Sequence, residues 1–162
     1  MVLTGHAQSI ESPNRQLNLT FHVDNGIPYY SLLYKGKIII EKSRLGFEMK
    51  NIPSMVDNFS ILKSSTSAFD ETWEPVWGEV KKIRNQYNEL EITLEQGSPK
   101  RTVIIRFRLY DDGLGFRYEF PNQKNLSYFT IAEEITQFNL GKDYTAFWIR
   151  GDYDTNEYNY TT

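Results

Sequence analysis

The closing stretch of the chain, Trp148-Ile-Arg-Gly-Asp-Tyr-Asp-Thr-Asn-Glu-Tyr-Asn-Tyr-Thr-Thr162, crowds aromatic rings and oxygen donors together. The flat faces of Trp148, Tyr153, Tyr158 and Tyr160 suit the C–H faces of a sugar. Asp152, Asp154, Asn156 and Glu157 offer oxygens to hydroxyl groups or to a hard cation such as calcium. Asp152-x-Asp154-x-Asn156 has the spacing of the first three ligand positions of an EF-hand loop. The likeness then breaks: the sixth position is Glu157 where that loop needs glycine, and the twelfth falls past Thr162. An ion held here would draw ligands from separate segments, with Glu157 the strongest candidate on this one. On chemistry alone, a solvated loop glutamate is an equally good reading. Part of any site built on this cluster is expected to lie beyond the chain.

Other constellations fare worse. His6 and His22 are the two imidazoles, one near the N-terminus and one on the polar side of a strand, so a serine triad has no base. Gly113-Leu-Gly115 follows a turn and does not open a helix, which removes the phosphate-loop reading. Paired carboxylates could cleave a glycosidic bond. Asp111-Asp112, however, sits in a tight turn, where aspartate caps the backbone, and Glu133-Glu134 reads as a solvated pair. No cysteine is present, which excludes disulfides and thiolate chemistry and fits cytoplasm or periplasm equally.

With 162 residues, 40% of them hydrophobic and 15% aromatic, the chain has room for one domain with a substantial core. The 18 basic and 21 acidic residues are interspersed, giving a net charge of -3 and no electrostatic footprint for nucleic acid. No apolar run reaches the roughly 18 residues that a helical membrane span requires. Near the start, Gly5 and Ala7 stand where a signal peptidase inspects its substrate, so residues 1–11 are expected to be a tail or signal remnant.

The elements that must position these residues are strands, because the dominant hydrophobic period is two. Leu17, Leu19, Phe21 and Val23 alternate with polar residues up to Asn25-Gly26, a hairpin turn leading into Ile27 to Tyr34. Lys37 to Glu41 is a continuous apolar run expected to be a more central strand, with another near Leu45 to Met49. Leu90 to Leu94 and Val103 to Leu109 alternate in the same way. Asp111-Asp112-Gly113 then turns the chain into Leu114 to Phe120, stopped by Pro121. Shorter strands are expected at Tyr128 to Ile131, Ile135 to Phe138 and Ala146 to Ile149, and Ser54 to Phe69 reads as a loop or an edge strand. The pattern predicts an all-β, antiparallel β-sandwich, without repeats or an internal linker. Trp73, Trp77 and Trp148 could form a sugar platform, but in such a fold they are expected to be core or interface anchors, with Trp73 to Trp77 bracing an extended loop against the sandwich.

Five ordered segments carry a family resemblance: Ser43-Arg-Leu-Gly-Phe-Glu48, Glu71-Thr-Trp-Glu-Pro-Val-Trp-Gly-Glu79, Arg84-Asn-Gln-Tyr-Asn-Glu89, Asp111-Asp-Gly-Leu-Gly-Phe-Arg-Tyr-Glu-Phe-Pro121 and Gly151-Asp-Tyr-Asp-Thr-Asn-Glu-Tyr158. Together they resemble the N-terminal domain of glycoside hydrolase family 97, from about Ser12 to Thr162. The resemblance implies a super-sandwich domain over residues 12–162, truncated at its C-terminal end, from a periplasmic exo-acting α-glucosidase or α-galactosidase. It further implies a catalytic (β/α)8 barrel in the same protein as partner, an α-linked oligosaccharide as substrate, and calcium held partly by Glu157. The chain itself is expected to lack catalytic residues. A stand-alone carbohydrate-binding module is the alternative.

Overall fold

The computed structural model describes residues 7–145 together with 147 and 148. Ten strands follow in order: β1 (Gln8–Glu11), β2 (Leu17–Asp24), β3 (Ile27–Tyr34), β4 (Lys37–Arg44), β5 (Phe47–Met49), β6 (Phe59–Trp73), β7 (Ile83–Gln96), β8 (Arg101–Leu109), β9 (Leu114–Glu119) and β10 (Ile131–Glu134). One 3-10 turn, Lys124–Leu126, is the only helical element among the described residues. All pairings are antiparallel: β1-β2-β3-β4 form one sheet, β6-β7-β8-β9 a second, and β5 with β10 a small third.

Alternation builds the core. Leu17, Leu19 and Phe21 of β2 and Tyr30 and Leu32 of β3 turn inward from the first sheet. Leu90, Ile92 and Leu94 of β7 and Val103, Ile105, Phe107 and Leu109 of β8 meet them from the second. Phe107 is the hinge of this contact, its ring lying 6.0 Å from Phe21, 6.1 Å from Tyr30 and 5.5 Å from Phe116. These are separations at which aromatic pairs attract beyond their buried area. The antiparallel β-sandwich predicted from the periodicity is therefore the fold observed.

The turn at Asn25-Gly26 is as expected, with both residues at positive φ, 50° and 79°. Glycine is also required sterically, because a Cβ there would sit 2.9 Å from the Asn58 nitrogen. Its carbonyl accepts from Phe59 N at 2.9 Å, which ties the first hairpin to the start of β6.

Three expected strands change, at Lys37 to Glu41, Tyr128 to Ile131 and Ile135 to Phe138, the last of which is irregular, and the open choice at Ser54 to Phe69 resolves to its edge-strand alternative. β4 is the outermost strand of its sheet, with Ile38 more than half exposed; its free edge is taken by the irregular stretch 135–141. There Gln137 N donates to Arg44 O (2.9 Å) and Glu41 N to Asn139 O (2.7 Å). The strand expected at Tyr128 to Ile131 begins instead at Ile131 and pairs with β5. Ser54 to Phe69, read as loop or edge strand, holds the first part of β6, a 15-residue edge strand of the second sheet. Its serines and threonines gave no alternation because both faces of its later half are exposed.

Candidate functional site

A ladder of charged side chains lies on the outer face of the second sheet. Acidic residues alternate along β7 and basic ones along β8, and the register sets Glu89 opposite Arg108 and Glu91 opposite Arg106. Cross-strand ion pairs follow. Arg108 Nε meets Glu89 at 2.6 Å, Arg106 meets Glu91 at 2.6 Å and Glu119 at 2.9 Å, and Arg117 meets Glu119 at 2.7 Å. Burial by itself would raise the Glu89 carboxyl, but donation from Arg108 and Arg106 outweighs it and holds the group below its ordinary value. A cavity of about 150 Å³ opens beside Arg106, Arg108 and Arg117. All three guanidiniums are already committed to carboxylates, so the ladder braces the sheet and leaves no free positive charge for an anionic ligand.

An open groove of about 780 Å³ runs along the seam between β1 and β6, lined by Ser9, Ser12, Asn18, Thr66, Ser67 and Asn88 among others. Its walls are joined by Ser64 Oγ donating to Gln8 Oε1 (2.8 Å) and Asn88 Nδ2 donating to Glu11 O (2.8 Å). The lining offers hydroxyl and amide groups and the charged Glu11 and Arg15, without an aromatic face.

The paired carboxylates behave structurally. Asp111 Oδ1 accepts from Asn14 N at 2.8 Å, pinning the β8–β9 turn to the segment between β1 and β2. Glu133 and Glu134 are exposed on β10, and Glu134 accepts from Thr136 Oγ1 at 2.7 Å. His22 stacks on Tyr29 at 5.7 Å, and burial, aided by Lys42, lowers its pKa. Among the described residues no three His, Cys, Asp or Glu side chains are placed to hold a metal. Glu157 and the rest of the cluster from Gly151 to Thr162 lie outside the described residues.

The tryptophans are not where a core reading puts them. Trp73 and Trp148 are about half exposed, at 46% and 48%, and Trp77 is 88% exposed. The segment Trp73 to Trp77 does not brace a loop on the sandwich. It is the crest of a two-stranded arm, because β7 pairs with β8 only from Asn88 onward, while Phe69–Trp73 and Ile83–Tyr87 pair, among the described residues, only with each other. Sequence periodicity reads burial within a sheet. It has no signal for a hairpin that outruns its neighbours.

Three of the five segments that carry the resemblance have structural work in the described chain, and a fourth, Glu71 to Glu79, runs over the crest of the arm. Ser43 is buried, with its Oγ donating to Glu41 O and accepting from Asn139 N, both at 2.9 Å. Phe47 packs on Tyr118 at 4.4 Å, and burial raises the pKa of the Tyr118 hydroxyl, which bonds Thr136 at 2.7 Å. Arg84 clasps Asp70 through two bonds of 2.9 and 2.7 Å in the neck of the arm. Asp111 to Pro121 spans the pinned turn and β9, whose Phe116 reaches the central Phe107. The fifth segment is the terminal cluster.

The chain is similar to known proteins in sequence and in fold. The family model described as Glycosyl-hydrolase 97 N-terminal matches residues 10–162. The chain is similar to a variant of a glycoside hydrolase family 97 enzyme in complex with panose, and to such an enzyme in complex with acarbose, both from Pseudoalteromonas sp. strain K8. In each case the identity is 32% and the TM-score 0.83, over 89% of this chain and 22% of the other. It is also similar to a β-arabinopyranosidase, at 30% identity and a TM-score of 0.77 over 86% of this chain and 22% of that one. The chain thus spans about a fifth of the length of these solved relatives. Matched along almost all of its length in both sequence and fold, it belongs to the glycosyl-hydrolase 97 N-terminal family.

Proposed function

We propose that this chain is the non-catalytic N-terminal domain of a calcium-dependent, exo-acting α-glycoside hydrolase, an α-glucosidase or α-galactosidase. It packs on a catalytic (β/α)8 barrel of the same protein and supplies Glu157 to a calcium site beside the substrate. The observation that carries the reading is the match over residues 10–162 to a domain that occupies about a fifth of enzymes solved with oligosaccharide ligands. The panose and acarbose complexes of those relatives support an α-linked oligosaccharide as substrate. The small-residue run around Gly5 and Ala7, together with the family, supports a periplasmic location.

The donor set fits the ion. Asp152, Asp154, Asn156 and Glu157 offer oxygen and no sulfur or imidazole, the chemistry of a hard cation. Calcium takes six to eight oxygens, more than one short stretch supplies, so the remaining ligands come from the catalytic part. Bound there, calcium would supply positive charge beside the reacting sugar. The task of this chain is to carry Glu157 on a rigid sandwich.

The test is a calcium titration of the complete enzyme carrying Glu157→Gln. The calcium concentration for half-maximal activity should rise by about tenfold or more, the loss typical of a weakened metal shell. An unchanged titration removes Glu157 from the site.

A further inference from the structure

The β6–β7 arm presents an apolar surface that the sandwich does not use. Its last five rungs, from Phe69 opposite Tyr87 to Trp73 opposite Ile83, continue beyond the last rung of β8. At the usual rise per residue that is a projection of about 16 Å. At its crest Val76 is fully exposed and Trp77 nearly so, Val80 is more than half exposed, and Trp73 and Ile83 are partly exposed. An exposed two-stranded ribbon is marginal unless something stiffens it. Here Phe69 stacks on Tyr87 at 5.1 Å, Tyr110 props Tyr87 at 5.3 Å, and Asp70 and Arg84 close the neck. The apolar crest is thus held out in one pose, a preorganisation that lowers the cost of binding.

Resting on the reading that a catalytic domain accompanies this one, we propose that the arm is a docking finger. It seats Val76, Trp77 and Val80 in an apolar cleft of the catalytic part of the same polypeptide. Two observations choose this occupant. The crest sets Val76, Trp77 and Val80 among exposed Glu74, Glu79, Lys81 and Lys82; exposed valines add nothing to a sugar platform, whereas an apolar centre with a charged rim suits a protein interface. The domain also accounts for only 22% of the chains of its solved relatives. A surface tethered in the same polypeptide acts at roughly millimolar effective concentration and outcompetes a second molecule.

Hydroxyl-radical footprinting of the complete enzyme tests the finger. In the native enzyme Trp77 and Val76 should be modified at least about tenfold more slowly than in the urea-unfolded enzyme, and the protection should persist on dilution to nanomolar protein. Modification within about twofold of the unfolded rate overturns the proposal. So does protection that disappears on dilution, which assigns the crest to a second copy, or protection that needs added panose, which assigns it to sugar. A complete enzyme carrying Val76→Ser and Trp77→Ala provides a second readout: its single melting transition should split in two, and an unchanged transition counts against the finger. Neither readout passes through calcium, so a failed finger leaves the Glu157 reading standing, and a flat calcium titration leaves the finger standing.

Discussion

Gln96 and Arg101 face each other across β7 and β8, with the Arg101 guanidinium donating to Gln96 Oε1 from Nε at 3.0 Å, and both residues are almost wholly buried, at 2% and 1% exposure. A buried cation normally meets a carboxylate; here it meets a neutral amide and the carbonyl of Ser54 at 3.1 Å. Burial accordingly lowers the pKa of Arg101, and its Nη1 has no hydrogen-bond partner among the described residues. Gln96 Nε2 in turn donates to the Ser54 and Asp57 carbonyls, both at 3.0 Å, so one amide anchors the loop before β6 and the cation together.

Gln96→Leu should therefore cost about 3 kcal/mol, because it strands a buried charge. Adding Arg101→Met should recover most of that loss, since an apolar pair of similar volume is often as stable as a buried polar one. Denaturant unfolding of the single and double variants measures both. A double variant as unstable as the sum of its parts would show that the two residues act independently.

Phe107→Ala should remove about 3 to 5 kcal/mol, a large share of the roughly 5 to 15 that holds a domain together. The ring is fully buried and touches Phe21, Tyr30 and Phe116, so its loss opens a cavity between the sheets. Thermal unfolding followed by near-ultraviolet circular dichroism should show a transition shifted down by more than about 10 °C.

Acid should weaken the domain through Glu89. Burial alone would raise this carboxyl, but Arg108 and Arg106 bring it below its ordinary value of 4.5. A carboxylate depressed in the folded state contributes stability that is present above its unfolded value and disappears as pH falls through the folded value. Stability should thus fall below about pH 4.5, the group's ordinary value. Glu89→Gln should cost most at neutral pH and least in acid. Unfolding measured from pH 3 to 7 should show the two curves converging at the acid end, and parallel curves would rule out Glu89 as the titrating group.

Much of this was legible in the chain, and the reason lies in particular residues. Leu90, Ile92 and Leu94 beside charged neighbours, and Val103, Ile105, Phe107 and Leu109 beside arginines, predict two half-buried strands, which are β7 and β8. The register that sets Glu89 opposite Arg108 and Glu91 opposite Arg106 is a non-local fact that the alternation does not specify. The Asn25-Gly26 turn was equally readable, because few residues accept positive φ at both turn positions. Trp73 and Trp77 were not, because exposure at the crest of an arm depends on where the neighbouring strand stops, a non-local fact. β4 misled for a related reason: Ile38, Ile39 and Ile40 look like a central run, yet their edge is closed by residues about a hundred positions later. Glu157, the one candidate ligand, was reached by its family motif and by the chemistry of its donor atoms.

Gly46 offers the sharpest local test, because two constraints coincide there. Its φ is +149°, which side-chain-bearing residues rarely adopt, and a Cβ would lie 2.8 Å from Met55 O and 3.2 Å from Val56 Cα. The same carbonyl of Met55 accepts from Phe47 N at 3.0 Å, and the Gly46 carbonyl accepts from Ile135 N at 3.0 Å. A methyl group must therefore push apart the bonds that join β5 to the chain on either side. Gly46→Ala should cost about 3 kcal/mol, combining backbone strain with lost hydrogen bonds. Gly115→Ala is the matched control: nothing lies within 4 Å of its Cβ position, so the change should stay within about 1 kcal/mol of neutral. Equal losses in the two variants, measured by denaturant unfolding, would show that glycine content and not the packing at Gly46 sets the effect.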